Sequence, residues 1–165
     1  MIKSYLALFT FLLCCSSWSQ KIKIPSIIKV DSIEQKITIP NTNVLINNPV
    51  GYTFDSKLIA YQKGDLNYFQ ISEFPNQGFF TSLIKAKETL KDLKEEGVKF
   101  SIRQKILLDE YPGFINIGYD KDGKELIYLI FGDASFSVII IGLFEKNNQN
   151  PTENSDLILS SFYKK

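Results

Sequence analysis

The sequence predicts an α+β domain in which an antiparallel β-sheet lies between helical layers, an α/β/α sandwich. Three observations lead there. The stretch GFFTSLIKAKETLKDLKEEG, residues 78–97, repeats its apolar residues with a helical period. The segments after it alternate with a period of two and are separated by turn residues. Two of those segments, on either side of Gly132-Asp133, are apolar on both faces, the pattern of strands covered from both sides.

Taken in order, residues 20–37 read as an extended lead-in. Over residues 20–40 Lys alternates with Ile, and two Ile-Pro steps (Pro25 and Pro40) remove ladder donors and hold the preceding residues extended. Glu34 to Ile39 is a candidate edge strand. The domain proper spans 38–165. Val44 to Ile46 is a short strand, followed by an Asn47-Asn48-Pro49 turn, and Gly51 frees the backbone before Tyr52. Lys57 to Gln62 and Asn67 to Phe74 read as strands around Lys63-Gly64-Asp65. In the helix, Phe79, Leu83, Ala86, Leu90 and Leu93 form one stripe; Lys85, Lys87, Lys91 and Lys94 stay off it and read as a solvated face. Gly97 stands where a left-handed C-cap is expected. Lys99 to Leu108, Pro112 to Asp120 and Glu125 to Gly132 are strands, with Asp122-Gly123 as a hairpin turn.

The run YLIFGDASFSVIIIGLF, residues 128–144, decides the architecture. It is apolar enough to suggest a membrane span, but a span would carry Asp133 near its centre at a cost of about 3 kcal/mol. Gly132-Asp133 as a two-residue turn places that charge at an exposed tip instead. Tyr128 and Ile130 then point to one side, and Ile127, Leu129 and Phe131 to the other. Across the turn, Phe136, Val138 and Ile140 oppose Ile139, Ile141 and Leu143. The helix covers one face of this central pair. A C-terminal helix is expected to help cover the other, with Asn150 as N-cap, Pro151 at N1, Glu153 in a capping box, and Ile158 and Phe162 on one face.

The first nineteen residues read as a signal peptide: Lys3, an apolar run from Tyr5 to Cys15, and Ser17-Trp18-Ser19 as a cleavage site that leaves Gln20 first. A lipoprotein signal modified at Cys15 is the alternative, although Leu12-Leu13-Cys14 before it fits a lipobox only loosely. Cleavage removes both cysteines, the only Trp and Lys3, so 18 basic residues balance 18 acidic ones in a chain without histidine. An exported chain without cysteine has no disulfides and depends on its core. At 146 residues it buries roughly two-thirds of its unfolded surface, enough for one core. Neutrality and a single arginine, Arg103, argue against nucleic acid as a partner.

Three stretches resemble the PsbP-like superfamily, which takes in PsbP, the Mog-type Ran-binding proteins and the DcrB-like proteins. Pro49-Val50-Gly51-Tyr52 resembles its Pro-x-Gly-aromatic lead into the first strands, Phe131 to Val138 its late hairpin, and Leu159-Ser160-Ser161-Phe162 its last helix. The resemblance covers about residues 38–165. It implies a PsbP-like α/β/α sandwich that binds other proteins without catalysis, and it carries over no catalytic residue.

Chemistry is mostly excluded. Without His, and without Cys after cleavage, Ser-His-Asp and Cys-His arrangements and the usual zinc, copper and haem ligands are absent from the mature sequence. Asp120 to Glu125, DKDGKE, lacks calcium-loop spacing and reads as a turn. Asp109-Glu110 could act as acid and base only if two adjacent side chains converged, so a solvated turn is the better reading. No catalytic, cofactor or metal residue is assigned. Aromatic residues crowd the first half; most belong to the core, and Tyr52, Phe54, Tyr61, Phe74 and Phe80 are candidates for lining a groove. The expectation is a periplasmic or extracellular protein without enzymatic activity or a mature membrane span. It would act as an interaction module whose partner is another envelope or surface protein. The alternative is a carrier of a small apolar ligand in a cleft between sheet and helix.

Overall fold

The computed structural model describes residues 36–164 apart from Asn148; the expected leader, with Cys15 and Gln20, lies outside them. The described elements run β1 (Lys36–Thr38), β2 (Val44–Asn47), β3 (Thr53–Asp55), β4 (Ala60–Lys63), β5 (Asn67–Pro75), α1 (Phe79–Glu95), β6 (Lys99–Leu108), β7 (Tyr111–Tyr119), β8 (Glu125–Gly132), β9 (Phe136–Phe144), α2 (Glu153–Leu159) and β10 (Phe162–Tyr163). Seven strands form one antiparallel sheet in the order β3-β4-β5-β9-β8-β7-β6, and β1-β2-β10 form a small second sheet. The α+β sandwich is therefore present, with β8 and β9 at its centre.

The alternation of the central hairpin sorts its side chains as the pleat requires. Tyr128, Ile130, Ile139, Ile141 and Leu143 pack with Phe79, Ala86 and Leu90 of α1. Ile127, Leu129, Phe131, Val138 and Ile140 pack with Ile39, Val44 and Ile46 and with Ile158 of α2. Every residue of β8 is buried. Each large apolar side chain placed there contributes about 1.5–3 kcal/mol relative to exposure, so these two faces hold the fold together.

The second face is covered differently from expectation. α2 has seven residues, and the small sheet supplies most of the layer. Thr152, not Asn150, precedes α2, and no side chain caps it. Asn147 organises the loop before it instead, accepting the Gln149 and Asn150 amides at 3.0 Å and donating to the Glu153 carboxylate at 2.6 Å. Phe162 is not helical. Ser160 and Ser161 turn their hydroxyls back onto the carbonyls of Leu157 and Ile158, which favours stopping a helix, and Phe162 then pairs with Leu45 in the small sheet. β4 also starts later than read, because the Asp55 carboxylate holds the Lys57 and Leu58 amides in a turn.

Both turn assignments shift. At the β7–β8 hairpin the loop is Lys121-Asp122-Gly123, closed by Asp120 N–H on the Lys124 carbonyl at 3.0 Å, with Gly123 at φ +79°. At the β8–β9 hairpin Gly132 pairs with Ser137 inside the ladder, and the tip is Ala134-Ser135. Asp133 is half-buried rather than exposed. Its amide donates to the Phe136 carbonyl at 3.1 Å, while its own carbonyl accepts the Phe79 amide at 2.7 Å. The hairpin thereby satisfies a free N–H at the start of α1, whose N-cap Gly78 has no side chain to do so. A Cβ on Gly78 would collide with the Ala134 carbonyl oxygen, so the close seat of hairpin on helix accounts for that glycine. At the other end of α1, Val98 N–H reaches the Leu93 carbonyl at 2.9 Å and Gly97 N–H the Lys94 carbonyl at 3.1 Å, a Schellman ending with Gly97 at φ +104° as read.

Candidate functional site

Three of the five groove candidates come together. Phe54 and Tyr61 are cross-strand partners with ring centroids 4.9 Å apart; Tyr61 stacks on Phe69 at 5.1 Å, and Tyr52 meets Phe69 at 5.5 Å. This row belongs to the face under the small sheet, and Tyr61 is buried in it. Phe74 lies on the opposite face: it pairs with Ser137, whose hydroxyl bonds Ser82 of α1. Phe80 stands on α1 and is 75% exposed.

Of the first three, Tyr52 reaches a polar cleft of about 520 Å³ at the α2 end of the sandwich. Amides and charges line it: Lys63, Asn67, Glu145, Lys146, Glu153 and Asn154. Lys63 lies over the Tyr52 ring at 5.8 Å. Burial, with a smaller contribution from the Glu153 charge, pushes the Tyr52 hydroxyl pKa up, so the ring stays a neutral donor. Among the described residues no cluster of three or more acidic side chains is placed to hold a metal ion. In the DKDGKE turn one Asp120 carboxylate oxygen is occupied by the Asp122 and Lys124 amides at 2.9 and 2.8 Å.

A second cleft, about 450 Å³, opens between sheet and helix at the C-terminal end of α1. Leu93, Val98, Leu126, Ile141 and Leu143 line it, with Tyr68 at its edge and Glu96, Asp120 and Lys121 around its rim. None of the five groove candidates contributes to it. A cleft between sheet and helix was expected from the sequence, but not these residues, because they are the ordinary core-facing positions of α1, β8 and β9, left partly open where the helix ends.

The third feature is the flank of α1 turned away from β9. Ser82 touches Ser137 on β9, and Phe79 stacks on Phe114 of β7 at 6.1 Å, which fixes the helix's rotation on the sheet. At about 100° per residue, Phe80, Ile84 and Lys87 follow on the side away from β9. Phe80 and Ile84 are 75% and 63% exposed. On the α1 face of the sheet Phe114 pairs with Lys105, Asn116 with Arg103 and Pro112 with Leu107, and cross-strand partners share a face. Lys105 lies over the Phe114 ring at 6.0 Å, and Arg103 Nε donates to Asn116 Oδ1 at 3.3 Å. Among the described residues β6 pairs only with β7, so its outer edge is open.

The fold assembled from these parts is PsbP-like. The solution structure of cyanobacterial PsbP (CyanoP) from Synechocystis sp. PCC 6803 is similar with a TM-score of 0.55 over 82% of this chain and 96% of that one, at 6% identity. At such identity the likeness is one of fold alone. A protein from Bacteroides thetaiotaomicron VPI-5482 matches with a TM-score of 0.48 and 12% identity, covering 81% of this chain and 50% of that one. No family model and no curated protein matches the sequence. No helix among the described residues is long and apolar enough to cross a membrane.

Proposed function

We propose that this chain is an exported, non-catalytic protein-interaction module whose partner is another envelope or surface protein. The observation that carries the reading is the flank of α1, where Phe80 and Ile84 stand exposed four residues apart, together with the outer edge of β6, which no described strand covers. Single exposed apolar residues are ordinary, whereas an apolar pair at helical spacing and an uncovered strand edge are both features that contact surfaces use. The leader-like first nineteen residues support export, and the absence of His and mature Cys from the sequence supports a non-catalytic role. Protein recovered from its own host is expected to carry a partner protein in native mass spectrometry, and to lose it when Phe80→Ser and Ile84→Ser are combined. A chain recovered alone, from every fraction and at low salt, would refute the reading.

The cleft at the end of α1 favours one second reading, a carrier of a small apolar ligand held against Leu93, Ile141 and Leu143. A co-purifying mass of lipid size, lost on Ile141→Asn, would decide for the carrier.

A further inference from the structure

We infer that the open edge of β6 takes up an extended acidic segment of the partner, which adds to the large sheet as an eighth strand. The inference rests on the interaction reading and names the surface and chemistry it would use. β6 is ten residues long, about 33 Å of backbone, and is the end strand of the seven-stranded sheet. The sheet's other end, β3, has three residues, too few to template a partner. β6 carries Lys99, Arg103 and Lys105 and no carboxylate, and its neighbour β7 carries no charge at all. Arg103 and Lys105 project on the α1 face. A second copy of this chain would bring the same cations against themselves, so self-pairing along this edge is opposed. An acidic strand meets them with opposite charge.

Along such a strand, side chains on the α1 face would alternate with those on the far face. Acidic positions would meet Arg103 and Lys105 on the α1 face, and apolar ones on the far face would meet Ile102, 44% exposed. The main chain supplies the affinity and the cations the choice of partner.

The probe is a synthetic nine-residue peptide alternating Glu and Val, N-methylated along one edge so that it cannot stack on itself. It is titrated into the mature chain, and amide hydrogen exchange is followed by residue. Slowed exchange is expected within 99–108, with affinity at least tenfold weaker at 500 mM than at 50 mM salt. Arg103→Glu with Lys105→Glu should weaken binding at least tenfold, and Arg103→Gln with Lys105→Gln by less. Lys57→Glu with Lys121→Glu, equal in net charge, should change it less than twofold. The inference is overturned if protection falls elsewhere or nowhere, if a Lys-Val peptide protects equally, if the control pair weakens binding as much, or if the chain dimerises through β6. A host partner that binds while leaving 99–108 unprotected would remove this inference and leave the interaction reading standing; no partner at all would remove both.

Discussion

Replacing Asp133 tests how the central hairpin is fastened to α1. Its Oδ1 accepts the Ser135 amide and hydroxyl, each at 2.7 Å, and the Phe136 amide at 3.3 Å. Ser135 is exposed, so water can replace its two bonds; the Phe136 amide is part-buried and cannot be resolvated as easily. The Asp133 carbonyl also caps α1 through the Phe79 amide, so a loosened tip frays the helix start. The arrangement matches a helix N-cap in kind, and removing such an acceptor costs about 0.5–2 kcal/mol. Asp133→Ala is therefore expected to cost about 1–2 kcal/mol, a fall in melting temperature of roughly 3–10 °C for a domain of this size. Asp133→Asn keeps an acceptor at the same place and loses only the charge, so it should cost less than about 1 kcal/mol. Urea and thermal unfolding of the two variants provide the assay. If Asp133→Ala unfolds within about 0.5 kcal/mol of the parent, the side chain does not organise the tip. If Asn is as damaging as Ala, the charge and not the acceptor geometry matters.

Leu129→Ala, at a fully buried position of β8, should cost about 2–5 kcal/mol in denaturant unfolding, and a loss under about 1 would contradict the central-strand packing. Gly142→Ala puts a Cβ against the buried Phe144 ring; a loss of about 1–3 kcal/mol is expected, and an unchanged melting point would show that the ring is not held there. Gly97→Ala should cost about 1 kcal/mol, since the residue must stay at φ +104° to close α1, and circular dichroism melts would detect it. Burial raises the Tyr128 pKa from 10.0 to about 12, so the neutral phenol is favoured by folding. That contribution, about 2–3 kcal/mol, is complete below pH 10 and is lost as pH rises through about 12. Tyr128→Phe should flatten stability between pH 10 and 12, and an unchanged slope would refute the assignment.

Periodicity alone determined much of this protein. The stripe Phe79, Leu83, Ala86, Leu90, Leu93 defined α1 and its buried side, because a helix has only one way to present residues at that spacing. The two-faced apolar runs around Gly132 defined the central strands, because the strand period of two leaves no polar side for solvent. The α+β sandwich was legible for the same reason, since covered strands and one amphipathic helix leave few ways to layer; its PsbP-like character came only from the resemblance of three short stretches. Turn lengths were not legible. Asp133 reads as a tip residue in isolation, and only the docked N-terminus of α1, with an amide to satisfy, draws its carbonyl inward and moves the tip to Ala134-Ser135. The fate of Phe162 was decided likewise by distant backbone: β2 offered a ladder at Leu45 that a further helical turn could not use. The candidate surface was half legible. Phe80 was singled out by its type, whereas Tyr52, Phe54 and Tyr61 went to another part of the fold. The open edge of β6, with Arg103 and Lys105 on the face of α1, exists only once the sheet has assembled, because which strand lies at the end depends on pairings between residues far apart in the chain.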